Sequence, residues 1–374
     1  MPLLAAVCLM PLRMTGQSGM NEMRALGFEE LGVFFKTCVV LLFASSLCSA
    51  ACSDAEGVAP RSGMKCGAMP RVLVDAVNVI PENSGDEGHT APLIAVNAKH
   101  VYFILQWTVA GSVTEDWRGY LMRAPIGGGA VERLAPLSRG SARMTQGLAL
   151  TDSRVVFIQA PEAEDGNATI AAMPLDGGAI NVLAEAEGFA NAVVVDDRNA
   201  YFADAEGVKA VALSGGKPRV LASNVGALAL AIVDDRLYLA LSDALLSVAL
   251  DGGDKANEAG MGGVALVACG DAICWVGGSS ALMASLMRLA PGLTPATLAR
   301  GVVQPHDIAF DGSTFFIAGG RGAISRVGAD GGNLVAAYGE SGLTSLEIEN
   351  DCLYWASATH ISDVSLDAAR TAGD

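Results

Sequence analysis

Residues 193–253 carry one pattern written twice. The first copy runs Val193-Val-Val-Asp-Asp-Arg-Asn-Ala-Tyr201-Phe-Ala-Asp204, then Val208-Lys-Ala-Val-Ala-Leu213-Ser-Gly215-Gly216. The second runs Ala231-Ile-Val-Asp-Asp-Arg-Leu-Tyr238-Leu, then Leu246-Ser-Val-Ala-Leu250-Asp-Gly252-Gly253. The two Gly-Gly pairs lie 37 residues apart (252 − 215). A short unit that recurs cannot bury its own apolar face, so its copies must stack, and stacking decides the architecture.

From residue 92 onward the unit recurs as an apolar strand, a polar turn and a strand with an aromatic near its middle. A third alternating strand ending in Leu-Asp-Gly-Gly or similar and a short fourth strand complete it. Its second-strand landmarks are Tyr102-Phe103, Val156-Phe157, Tyr201-Phe202, Leu237-Tyr238, Cys274-Trp275, Phe315-Phe316 and Tyr354-Trp355, spaced about 36 to 54 residues apart. That spacing suits a four-stranded propeller blade with insertions. Gly177-Gly178, Gly215-Gly216, Gly252-Gly253 and Gly331-Gly332 supply turns that need positive φ, and Ala290-Pro-Gly292 replaces them in the fifth copy. Stretches of helical period are absent. The class is therefore all-β, a seven-bladed β-propeller, with six blades as the alternative if the irregular first or abbreviated last copy is not a blade. The last copy has only three strands, Leu343–Ile348, Leu353–Ala356 and Ile361–Leu366. Pro70-Arg-Val-Leu-Val74 matches the fourth strand Pro218-Arg-Val-Leu-Ala222, so the N-terminal strand should complete the final blade and close the ring.

Half of the 374 residues are apolar (51%), 17% are charged and 44 are Gly, which suits a folded body rich in strands and turns. The net charge of −16 and the lack of any Lys/Arg run argue against nucleic acid. Acids such as Asp196-Asp197 and Asp234-Asp235 sit in turns and read as a solvated surface ahead of a cation-binding face.

Residues 37–51 form a short apolar run after Lys36, too short to span a bilayer as a helix and ending in small residues. This describes a secretory signal. Ser49-Ala50-Ala51-Cys52 resembles a bacterial lipobox, which implies lipidation of Cys52; plain cleavage is the alternative. The expected division is a leader and signal over 1–52, a tether over 53–69, the propeller over 70–367 and a tail over 368–374. Translation is expected to start at Met20 or Met23, because the charged region of a signal should lie at the very start of the chain; Glu29 and Glu30 are unwelcome there as well.

An exported chain keeps Cys66, Cys269, Cys274 and Cys352 for an oxidising compartment, which suggests two bridges among three connectivities. Cys269-Gly-Asp-Ala-Ile-Cys274 spans an expected hairpin turn, so these two face each other, and Cys66 with Cys352 follows by elimination. A redox or zinc site is the alternative, but Cys-x4-Cys without a partnering His is a weak metal pattern.

Tyr201-Phe-Ala-Asp204 with the following Gly-Gly string resembles the YWTD type of propeller repeat, as does Cys352-Leu-Tyr-Trp-Ala-Ser. Pro305-His-Asp-Ile-Ala-Phe-Asp311 is similar to the opening of NHL-type repeats. Together they resemble exported bacterial propellers of myxobacterial type over residues 70–367. The resemblance implies a fold and leaves activity open, since its motifs are turn formers and packing aromatics.

Propellers most often bind ligands where the innermost strands begin. The aligned copies place Thr90, Gln146, Asn191, His306, Asp307, Thr344 and Ser345 at that channel mouth. His306-Asp307 is the most chemically capable pair, a His for base or ligand work and an Asp to orient it. Adjacent strand residues point to opposite faces, so the preferred reading is that these side chains satisfy turn amides. His89, His100 and His360 share no metal spacing. Trp107 and Trp117 bracket the insertion Thr108–Asp116 and are candidate partner-binding anchors, with packing between blades as the alternative.

The functional expectation is an exported, lipid-anchored, monomeric propeller of the periplasm or outer cell surface. It would bind an envelope protein or a glycan with no catalytic residue, cofactor or metal. A hydrolase or lyase centred on His306 and Asp307, and a purely structural envelope component, are the alternatives.

Overall fold

A computed structural model describes residues 66–79, 84–89, 93–109, 117–137, 147–160, 166–278, 283–320 and 322–373. The chain divides into the units 1–59 and 60–374, and every described residue belongs to the second. The signal, Cys52, Thr90, Gln146 and most of the 108–116 insertion lie outside the described residues.

The described strands form seven antiparallel sheets. Blade 1 contains Leu93–Val96, His100–Val109, Trp117–Pro125 and Glu132–Pro136, and blade 2 contains Leu148–Leu150, Arg154–Gln159, Thr169–Pro174 and Asn181–Glu185. Blade 3 is Ala192–Val195, Asn199–Asp204, Gly207–Ala212 and Arg219–Ser223; blade 4 is Ala229–Val233, Arg236–Ala240, Leu245–Ala249 and Ala256–Ala259. Blade 5 is Ala265–Cys269, Ala272–Gly277, Ala284–Leu289 and Ala296–Val302; blade 6 is Pro305–Phe310, Thr314–Gly319, Ala323–Gly328 and Val335–Gly339. Blade 7 is Ser345–Glu349, Cys352–Ala356 and His360–Ser365, completed by Arg71–Asp75 from the far end of the chain. An additional strand, Ser84–His89, which the repeat pattern does not announce, pairs with His100–Val109 in blade 1.

The closing strand is set in register as Arg71↔Asp363, Val72↔Ser362, Val74↔Ile361 and Asp75↔His360. Each innermost strand packs against the innermost strands of both neighbours, and Leu93–Val96 touches both Leu148–Leu150 and Ser345–Glu349. The ring of seven is therefore complete, and blade 7 has its fourth strand like the others.

Seven apolar clusters fill the seven gaps between blades among the described residues. Adjacent strand residues face opposite sides of a sheet, which explains the paired landmarks. Phe315 packs between blades 5 and 6 and Phe316 between blades 6 and 7, while Phe202 and Tyr201 likewise serve the two sides of blade 3. Each such buried aromatic contributes roughly 2–3 kcal/mol of transfer free energy. The glycine pairs are required by backbone shape: Gly215 has φ +83° and Gly216 φ +136°, where a side chain would be strained.

Both expected disulfides are present, Cys66–Cys352 and Cys269–Cys274. Cys66, assigned to the end of the tether by its sequence, is buried and tied to the second strand of blade 7. The third strand of blade 7 stops at Ser365, one residue short of the sequence expectation. There Ser365 caps a short helix, Leu366–Thr371, by accepting from the Ala368 N–H. Leu366 and Ala369 on that helix are buried against blades 6 and 7, so part of the expected tail is core. A second short helix, Ala76–Val79, follows the closing strand. Among the described residues no helix is long and apolar enough to cross a membrane.

Candidate functional site

The inner strand of every blade starts on one face of the ring, directly after the loop that joins it to the previous blade. Asn191 is half-buried there, and its backbone N–H donates to the Ala203 carbonyl at 2.9 Å. The Thr344 N–H does the same to Ala356 at 3.0 Å. His306 is exposed at an irregular rung, where the register shifts between Pro305 and Asp307.

Asp307 faces the other way. Its carboxylate accepts from the N–H of Ile308 (2.8 Å) and of Leu346 (2.8 Å), and the Ser345 hydroxyl also bonds it. It thereby satisfies an edge amide of the neighbouring inner strand that the sheet of blade 7 leaves free. Burial outweighs these bonds and pushes its pKa up to about 6. No hydrogen bond or ion pair joins His306 to Asp307, so they do not form a base-and-orienter pair.

The structure brings to Asp307 a group that the sequence reading missed. Glu347 lies two residues beyond Ser345 on the same strand face. Burial, and then the charges of Asp307 and Glu349, push its pKa up to about 8. Glu347 pairs with Tyr354, and the same rung in the other blades holds Ala95, Ala149, Val194, Ala231, Val267 and Ala309. One glutamate therefore interrupts a ring of Ala and Val. Alignment of the inner strands at their hairpins would have exposed it, but a lone Glu in an alternating strand looks like a solvated position. The buried Tyr354 hydroxyl beside it has no hydrogen-bond partner.

Trp107 does not present itself as an anchor. It is 4% exposed and stacks on Tyr120 with ring centroids 5.7 Å apart, so packing is what it does. Trp117 pairs through its backbone with Thr108, and its side chain lies outside the described residues. Asp204 and Tyr201 of the YWTD-like string are structural. The Tyr201 hydroxyl donates to Asp196 (2.6 Å), and the buried Asp204 meets Lys209 Nζ at 2.8 Å and accepts from the Glu187 N–H at 3.0 Å. Among the described residues no three His, Cys, Asp or Glu side chains come together as a metal site.

The exposed apolar residues tell more. Phe189 (50% exposed), Leu228 (43%), Met261 (36%) and Val264 (44%) lie on the three successive loops joining blades 2 to 3, 3 to 4 and 4 to 5. All three loops belong to the channel-mouth face. Their sequence signal was an apolar residue beside glycine outside any strand, as in Gly188-Phe189 and Gly260-Met261.

No protein-family model matches the chain, and no curated protein sequence matches it. Solved structures do resemble it. The computationally designed Ika8 protein aligns at TM-score 0.52 and 17% identity, covering 75% of this chain and 98% of that one. BamB from Moraxella catarrhalis aligns at TM-score 0.50 and 16% identity, covering 79% and 97%. PorZ, a surface component of the type-IX secretion system of Porphyromonas gingivalis, aligns at TM-score 0.53 and 13% identity, covering 79% of this chain and 38% of PorZ. At these identities the likeness is one of fold, and the fold is the β-propeller.

Proposed function

We propose that this protein is an exported, envelope-associated propeller, anchored by a lipid on Cys52, that binds another protein through the face where its blades are joined. The observation that carries the reading is the row of exposed apolar side chains, Phe189, Leu228, Met261 and Val264, on three successive loops of that face. Exposed apolar residues gathered on one face favour a protein partner over a glycan, because three of the four are aliphatic and offer a sugar no hydrogen bond. The two disulfides support an oxidising compartment, and PorZ is a surface protein carrying the same fold. The separation of His306 from the Asp307 carboxylate favours a binding module over a hydrolase or lyase.

The test is affinity capture from an envelope extract with the tagged full-length chain. One stoichiometric protein should be recovered, and Phe189→Glu with Leu228→Glu should abolish its recovery. Recovery unaffected by that double change would overturn the proposed face. Metal-dependent turnover abolished by His306→Ala would overturn the binding reading altogether. Cys52→Ser should move the protein from the membrane to the soluble fraction, and continued membrane retention would refute the lipid anchor.

A further inference from the structure

On the face opposite the blade-joining loops, four arginines each tie one blade to the next. Arg71 Nη2 donates to the Ile126 carbonyl (3.0 Å), Arg123 Nη1 to Leu175 (2.8 Å), Arg154 Nη1 to Leu213 (2.6 Å) and Arg219 Nη2 to Leu250 (2.9 Å). Each acceptor directly follows the third strand of the next blade. Each also donates its own N–H to the residue just before that blade's second strand.

Ala329 holds this position in blade 6, with its N–H on the Ser313 carbonyl at 2.7 Å. Arg288 of blade 5 holds the rung of Arg123: Arg123 pairs with Tyr102 and Arg288 with Cys274, the corresponding second-strand residues. Yet the tie is not made. Arg288 Nε is buried without a hydrogen-bond partner, and the side chain has no ion pair among the described residues. Where five of the other six blades place Ile or Leu (Ile126, Leu175, Leu213, Leu250 and Leu366) and blade 5 places Ala290, Ala329 leaves space. A cavity of about 240 Å³ opens there, walled by Asp271, Arg288, Phe310, Gly312, Phe315 and Ala329. Phe310 and Phe315 stack with ring centroids 4.3 Å apart.

We propose that this cavity is a binding site for a small carboxylate with an apolar body. A buried, unpartnered guanidinium edge is costly, and a carboxylate matches its fork with two parallel hydrogen bonds. The stacked phenylalanines supply an apolar wall for the rest of the ligand. The exposed Asp271 at the wall favours a singly charged anion over a doubly charged phosphate. The site lies on the face opposite Phe189 and Leu228, so it stands or falls independently of the protein-docking reading.

Calorimetric titration of the full-length protein with benzoate at low ionic strength tests the assignment. Saturable one-to-one binding is expected, weakened at least tenfold by Arg288→Met, which keeps the side-chain stem but removes the charge. Ala329→Leu, which installs the residue size that blades 1–4 and 7 carry here, should block binding while raising the melting temperature. Asp271→Asn should tighten binding several-fold. Absence of saturable binding, or benzoate affinity unchanged in either Arg288→Met or Ala329→Leu, would overturn the site. Inorganic phosphate binding more tightly than benzoate would overturn the carboxylate assignment.

Discussion

The Asp307 carboxylate in blade 6 accepts the Leu346 backbone N–H of blade 7 at 2.8 Å, fastening one inner strand to the next across the interface between two sheets. The same strand of blade 7 carries Glu347, at a rung that in the other blades holds Ala or Val, so two carboxyls act on one another here.

That pair makes stability depend on pH. Carboxyls ionise near pH 4 in an unfolded chain, whereas here burial holds Asp307 up to about 6 and Glu347 up to about 8. Between roughly pH 4 and 8 the folded state therefore binds more protons than the unfolded one, and stability falls as pH rises through that window. Asp196 and Asp311, whose pKa values are lowered despite burial by hydrogen bonds, act below the window and lose their stabilising effect as pH falls. Urea midpoints should be higher at pH 5.5 than at pH 8, and Glu347→Gln should flatten most of that difference. A midpoint that rises between those pH values, or a slope untouched by Glu347→Gln, would contradict the assignment.

Closure of the ring rests on an ion pair. Arg71 Nη2 meets the buried Asp363 carboxylate at 2.6 Å, while the Arg71 side chain is 39% exposed. Arg71→Met strands a buried charge; because solvent reaches the guanidinium, the expected cost is at the low end for such pairs, about 2–3 kcal/mol. The double variant Arg71→Met with Asp363→Asn should lose less than Arg71→Met alone. Equilibrium denaturation of the two variants decides the point, and equal losses would show that the charge is not what matters.

The two disulfides should differ in worth. Cys66–Cys352 closes a chain separation of 286 residues and Cys269–Cys274 one of 5. Loop-closure entropy assigns about 6 kcal/mol to the first and about 2 kcal/mol to the second. Paired Ser substitutions should therefore lower the denaturant midpoint more for the long bridge, and the reverse order would refute the entropic account.

Gly207 tests the demand for glycine at one turn. It has φ +142°, and a Cβ there would run into the Ala222 carbonyl oxygen on the neighbouring strand. Gly207→Ala should cost about 2–4 kcal/mol through strain and a displaced strand. A thermal melt within a degree of wild type would show that the strand gives way freely.

The sequence alone determined the repeat and pointed to seven blades over six, to the closing strand and to one pairing of the cysteines among three. These follow from local rules: turns demand glycine, strand faces alternate, and an unpaired strand must find a partner. The paired landmarks such as Phe315-Phe316 were legible because each residue serves one side of its own sheet. Only the tertiary structure decided that Asp307 meets Glu347 rather than His306, that Trp107 is core, and that Arg288 lacks the carbonyl its counterparts hold. Each of these depends on what a neighbouring blade presents across a gap, and a repeat pattern fixes where the blades stand without fixing which side chains meet between them.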